Sequence, residues 1–199
     1  YAFNDADAND LQPGNDYWSA YSFAEDSVEY TRPSTGDDEM VVKQIHTRGQ
    51  GATQPDKVMW LHRQTSSLRF SRSYNTKAYS TWANQGGANP DVEATVHEYS
   101  EPIPPPGTTY YFIERYRPGY TTAHAPAWEV WISRDNRATY QKIVNRTAAT
   151  DFNTYNVAGS GFGGSYERIG PYKYNGSKWN SAAIAMKFSK FAFKKGTNL

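Results

Sequence analysis

Eight stretches of this chain, residues 17–24, 40–47, 58–63, 67–73, 109–116, 128–133, 166–174 and 183–193, alternate apolar and polar side chains. A two-residue period sends successive side chains to opposite faces of an extended backbone, so each stretch predicts a β-strand with a buried face. Clusters of Gly, Pro, Asn and Asp at 85–90, 102–107 and 159–164 interrupt the pattern where pairing gives way to turns. No amphipathic helix stands between the strands. They can bury their apolar faces only against one another, as a sandwich or barrel, and 199 residues fit one such domain over 1–199.

Hydrophobic residues make up only 38% of the chain, yet aromatics reach 16%, with 16 Tyr and 6 Trp. That much ring surface belongs at walls and grooves as well as in a core, which suits a face that holds carbohydrate. The formal charge is +1 and the Lys and Arg residues are scattered, which argues against nucleic acid as a partner. No apolar run approaches the ~20 residues of a spanning helix and no charged-then-apolar leader opens the chain, so a processed protein with no membrane partner is expected. The absence of cysteine removes disulfides, thiol catalysis and cysteine-ligated zinc. The sequons Asn145-Arg146-Thr147 and Asn175-Gly176-Ser177 are compatible with secretion.

Two stretches assign polar groups to a single face. Along 40–48, Val41 and Ile45 share one side while Gln44, His46 and Arg48 share the other. Along 166–174, Tyr166, Arg168, Gly170, Tyr172 and Tyr174 lie together, opposite Ile169 and Pro171. Proton-capable residues on one face are the raw material of a site, and a solvated outer face gives the same alternation; the pattern alone leaves both open. Pro171 offers no backbone donor, which places this strand at a sheet edge or at a bulge.

Gln44-Ile45-His46 and Tyr166-Glu167-Arg168-Ile169-Gly170-Pro171-Tyr172-Lys173 resemble motifs of the jelly-roll polysaccharide lyases, the group that contains alginate lyases and glucuronan lyases. The first equals the Gln-Ile-His motif of one alginate lyase family; the second is similar to a late strand in which a basic residue, a Gly and a Tyr recur in order. The succession of elements, from 17–23 through Gln-Ile-His, Val58-Met59-Trp60-Leu61, Trp128-Glu129-Val130-Trp131 and the Gly-x-Tyr strand, is similar to that of a glucuronan lyase over nearly the whole chain. The resemblance implies an all-β jelly-roll sandwich of two antiparallel sheets with a concave groove. One departure stands out. The Arg-rich or His-containing motif that precedes Gln-Ile-His in these families would fall at residues 1–5, where there is no Arg or His. The group that neutralises a substrate carboxylate is then Asn4, a residue from another strand, or part of an incomplete strand.

The resemblance implies endo-acting β-elimination on a uronic-acid polymer. The proton alpha to a carboxylate is weakly acidic, so donors must stabilise the enolate-like dianion that forms on its removal. Gln44 supplies an amide donor, and His46 or an Arg supplies charge. Tyr172 is the expected proton donor to the leaving oxygen. As a base it would need nearby positive charge, such as Arg168, because a phenol has a pKa of ~10. His46, with an unperturbed pKa of ~6.5, is the rival base. Arg168, Arg69, Tyr174, Lys173 and Trp60 complete the expected substrate contacts. Arg69 reads equally as a solvated strand charge, Trp60 is assigned first to core packing, and His46 and Tyr172 taken without their motifs are a surface histidine and a wall tyrosine.

No metal or cofactor is required by this chemistry. His62, His97 and His124 share no ligand spacing. Asp5-Ala6-Asp7-Ala8-Asn9-Asp10 spaces oxygen ligands as calcium loops do, but lacks the Gly and downstream Glu of an EF-hand loop, so a solvated acidic loop is preferred to a structural calcium. The expected partner is an acidic polysaccharide and the expected state a secreted monomer. The alternative from another class is a non-catalytic carbohydrate-binding module or lectin on the same sandwich. A glycoside hydrolase needs two facing carboxylates, and no strand carries a close acidic pair; Glu129 reads as isolated.

Overall fold

The computed structural model describes residues 11–28, 39–47, 57–62, 67–74, 96–119, 122–147, 151, 165–173 and 184–196. Ten strands run in chain order: β1 (Tyr17–Val28), β2 (Glu39–Thr47), β3 (Lys57–His62), β4 (Ser67–Arg72), β5 (Val96–Pro102), β6 (Thr109–Arg117), β7 (Ala127–Ser133), β8 (Gln141–Arg146), β9 (Ser165–Lys173) and β10 (Ile184–Lys195). They form two five-stranded sheets of order β10-β1-β6-β7-β8 and β5-β4-β3-β2-β9, and every pairing is antiparallel. The described residues contain no helix, and the sheets stack as a jelly-roll sandwich. Among these residues, therefore, no helix is long and apolar enough to cross a membrane.

Strict alternation builds the core. In β6, Tyr110, Phe112, Glu114 and Tyr116 are buried while the residues between them are half-buried. Phe112 stacks on Tyr21 of β1 at 5.1 Å and tilts against Phe70 of β4, in the opposite sheet, at 5.8 Å. Phe23, Leu61, Leu68, Val130 and Ile132 fill the same layer with almost no exposed surface. Burial of such side chains contributes about 1.5–3 kcal/mol each relative to exposure.

β5 and β8 are additions to the strands expected from the sequence, and both are edges. In β8 only Val144 is fully buried, and in β5 only Glu101 is. Edge strands carry charge in place of a full apolar face, and so lose the alternation that reveals inner strands. The charges join the sheets: Glu98 of β5 binds Arg72 of β4 and Arg146 of β8, and Arg134 after β7 holds Glu101 through a two-pronged contact of 2.6 Å on each oxygen.

Asp16, just before β1, accepts paired bonds from Arg115 (3.0 and 3.1 Å) and Arg117 (2.9 and 3.0 Å). Burial alone would raise its pKa, but the two guanidinium groups outweigh that and hold the carboxyl below its ordinary 3.8. A depressed carboxylate pKa adds stability above the unfolded value, and that stability is lost as pH falls through the folded value. Asp16→Asn is thus expected to lower the urea midpoint at neutral pH and to lose most of this effect below pH 3.8. A pH-independent deficit in urea melts would contradict the assignment.

Candidate active site

The floor of the candidate site is the outer face of the β5-β4-β3-β2-β9 sheet, and β3 is the ruler that defines it. Met59 and Leu61 enter the core, and Lys57 Nζ lies 6.0 and 5.9 Å from the rings of Tyr116 and Trp128, so all three point inward. Val58 and Trp60 therefore face outward. Val58 pairs with Gln44 of β2 and Ser71 of β4; Trp60 pairs with Val41 and Arg69. Directly paired residues share a face, so these four side chains belong to the outer surface.

This corrects two expectations. Val41 lies on the Gln44 side and not with Ile45, because the register of β2 against β3 shifts between Val41 and Lys43 and the extra residue reverses the parity. Trp60 is not a core residue: it is half-buried and stands beside the outward Arg69.

On the other flank β9 is indeed an edge strand, and its register against β2 shifts around Gly170 and Pro171, where Gly170 takes a φ of 132°. Pro171 thus satisfies both readings of a strand proline, edge and irregularity. Gln44 stands opposite Arg168, the backbone of His46 opposite Tyr166, and the backbone of Tyr172 opposite Val41. One register row crosses the sheet as Arg168, Gln44, Val58, Ser71 and His97, and the next as Tyr172, Val41, Trp60, Arg69 and Ser100. At ~4.8 Å between strands, each row spans roughly 19 Å, room for several sugar units. The side chains of His46, Tyr172 and Lys173, and the whole of Tyr174, lie outside the described residues, as do Asn4 and the acidic stretch 5–10.

Gln44 is only 7% exposed, so its amide sits low in the face. The exposed Arg168 guanidinium lies 4.7 Å from the Tyr166 ring, a cation–π contact that holds it over the face. Arg69 adds a second fixed positive charge. Ser71, fully buried, bonds the Nδ1 of exposed His97 at 2.7 Å. His97 has no motif around it, and only the register of β5 reveals its place in the row.

Behind Gln44, on the inner face, lies a polar cluster the sequence reading passed over. Lys43 Nζ pairs with Glu114 of β6 and Glu167 of β9, all three side chains being no more than 9% exposed. Glu114 also accepts from Trp128 Nε1 at 2.6 Å and Tyr21 hydroxyl at 3.4 Å, while Glu167 bonds Ser19 of β1. Burial alone would lower the Lys43 pKa, but the two carboxylates outweigh it and raise it, so the ammonium stays charged. Burial raises the Glu167 carboxyl, Lys43 opposing and Glu114 adding to the rise. Burial, with Glu114 and Glu167 nearby, pushes the Tyr21 phenol well above its usual range, so it serves as a neutral donor. A water-sized cavity beside Lys43, Glu114 and Tyr21 is far too small for a sugar. The two glutamates are an acidic pair, but one enclosed in the core and bridged by a lysine, without the open cleft of a glycosidase. Glu129 is held by Arg115 and Lys142, each at 2.5 Å, and so is engaged by cations and not by a second acid.

No protein-family model and no curated protein sequence matches the chain. Solved structures do. The alginate lyase AlyC3 superposes with a TM-score of 0.57 at 14% identity, over 94% of this chain and 66% of that enzyme. An endo-β-1,4-glucuronan lyase from the fungus Trichoderma reesei gives 0.56 at 11% identity over 94% and 70%, and the marine PL-14 alginate lyase from Aplysia kurodai 0.51 at 8% over 94% and 72%. This chain spans just under two thirds of AlyC3. At these identities the likeness is one of fold, and the fold is that of the jelly-roll polysaccharide lyases.

Proposed function

We propose that the protein is an endo-acting polysaccharide lyase that cleaves a uronic-acid polymer, alginate or glucuronan-like, by β-elimination. The observation that carries this reading is the pairing of Gln44 with Arg168, flanked by the His46–Tyr166 and Val41–Tyr172 positions, on the outer face of a sheet in a lyase-type sandwich. Arg168 and the Gln44 amide would hold the uronate carboxylate and stabilise the negative charge that builds on it. His46 or Tyr172 removes the C5 proton, the freed pair forms the C4=C5 bond, the C4–O bond breaks, and Tyr172 protonates the departing oxygen. A charge already present on β9 would thus fill the role left open by the missing early motif. The reaction needs no cofactor, and a polymeric substrate fits an extracellular monomer.

Trp60 of β3 and Arg69 of β4, one and two strands beyond β2, would engage a neighbouring sugar by stacking and by a planar carboxylate contact. Trp60→Ala is expected to raise KM severalfold with a smaller change in kcat, the signature of lost ground-state binding; an unchanged KM on polymer would remove Trp60 from the groove. The proposal as a whole is tested by incubation with alginate, glucuronan and related polyuronides while ultraviolet absorbance of the conjugated product is followed. Absence of product with folded protein would sink it. The half-buried Trp60 beside Arg69 equally suits a module that binds acidic glycan without turnover, and binding to the same polymers without product would establish that second reading.

A further inference from the structure

On their outer face the two strands that carry the candidate site set Gln44 of β2 opposite Arg168 of β9. What fixes them relative to one another lies on the inner face. Among the described residues β9 has one neighbour, β2, and its ladder is broken around Gly170 and Pro171. Alternation prevents a one-residue slip of β9, because that would turn Glu167 and Ile169 outward and Arg168 into the core. It does nothing against a two-residue slip, which keeps every side chain on its own face while replacing Arg168 opposite Gln44 by Tyr166 or Gly170.

The geometry points to Lys43, Glu114, Glu167 and Ser19 as a register lock that holds Arg168 of β9 opposite Gln44 of β2. Lys43 is the residue before Gln44, and Glu167 the residue before Arg168. Lys43 is anchored to Glu114 in the facing sheet and reaches diagonally to Glu167, whose own partner Ile45 is two residues along β2. A slip in one direction sets Lys43 among Ile169 and Pro171, with no acid on β9. A slip in the other sets Glu167 directly opposite Lys43 but moves it about 6.6 Å along the sheet from the position in which it bonds Ser19. Each wrong register therefore loses one of the buried contacts of Glu167, whereas the native one keeps both the Lys43 ion pair and the Ser19 bond; specifying register is the best-attested use of buried polar groups. These residues position the site and do not touch substrate.

The chain has no cysteine, so a disulfide can report the register. Thr47 and Ser165 are backbone partners, and a two-residue slip carries them past the ~7 Å limit for a bridge. In T47C/S165C protein held in a thiol–disulfide buffer, the bridge is expected to form readily. Adding Lys43→Met, Glu114→Gln and Glu167→Gln together is expected to reduce its equilibrium yield about tenfold. The effect on catalysis rests on the lyase reading: without the engineered cysteines, the neutral triple variant should lose kcat/KM by the same factor, mostly through KM, because only the native register binds substrate. An equal bridge yield in the charged and neutral proteins overturns the proposal. If the triple variant does not fold, Glu167→Met, which keeps the Lys43–Glu114 pair, is read in the same way, and an unchanged yield there overturns it too. A fall in bridge yield with no cleavage of any polyuronide by the parent protein would leave the register lock standing and reject the lyase reading alone.

Discussion

Tyr172→Phe should lower kcat on the cleaved polyuronide by ~10²–10⁴, the range that a positioned proton-transfer group supplies, while polymer binding is largely kept. The change deletes one hydroxyl and little packing, and the backbone pairing of Tyr172 with Val41 makes no use of that hydroxyl. The register sets Tyr172 in the row beside Gln44 and Arg168. A phenol that titrates near 10 in water needs positive charge beside it to act as base, and none to act as acid. Arg168→Ala would therefore separate the two roles, slowing proton abstraction and moving the ascending, acid-side limb of the pH profile to higher pH if Tyr172 is the base. Kinetics of Tyr172→Phe and binding of the same polymer make the check; full kcat in the variant would hand proton transfer to His46 or to another group.

Lys43→Met should destabilise the fold by about 3–5 kcal/mol at neutral pH, the cost of breaking a buried ion pair from one side. The substitution keeps an unbranched side chain one atom shorter and leaves Glu114 and Glu167 in the core with no cation between them. Glu114 retains Trp128 and Tyr21 as donors, so the burden falls on Glu167, whose carboxyl burial already raises above 4.5. A raised acid pKa costs stability only above the unfolded value, where the folded state must give up its proton. The deficit should accordingly be largest at neutral pH and shrink as pH falls toward 4.5. Urea melts at several pH values read both statements; a neutral-pH midpoint equal to that of the parent would mean that Lys43 is not the keystone of the cluster.

Most of the architecture was legible because inner strands obey a strict period. Tyr110, Phe112 and Tyr116 announce the buried face of β6, and β1, β3, β4 and β7 read in the same way. The same arithmetic, had it been applied to the charges, puts Glu114 on the face of Phe112 and Tyr116, Lys43 on that of Ile45 and Glu167 on the face away from Arg168. Three charges on inward positions were thus visible in the sequence, and their meeting was not, since they come from three strands in two sheets. The site was half legible. Gln44 and His46 fall on β2 and Arg168 and Tyr172 on its neighbour β9, an adjacency that the motifs did not state. The place of Val41 was hidden because a bulge adds a residue without leaving a compositional mark. Trp60 looked like core because an apolar run cannot reveal which of its members turns outward, and Ser71 with His97 became visible only through the pairing of an edge strand rich in charge.

The margins of the sandwich have a bearing on how copies of this protein behave when crowded. A neighbour seeking to zip its own strand onto β9 would find a missing donor at Pro171 and a distorted backbone at Gly170, which leaves too short a run of aligned partners to propagate. At the margins of the other sheet, β10 carries exposed Lys187, Lys194 and Lys195, and on β8 Lys142 and Arg146 are held by Glu129 and Glu98, so both edges present charge in place of an apolar face. Borders guarded in this way give a second copy little purchase for extending either sheet.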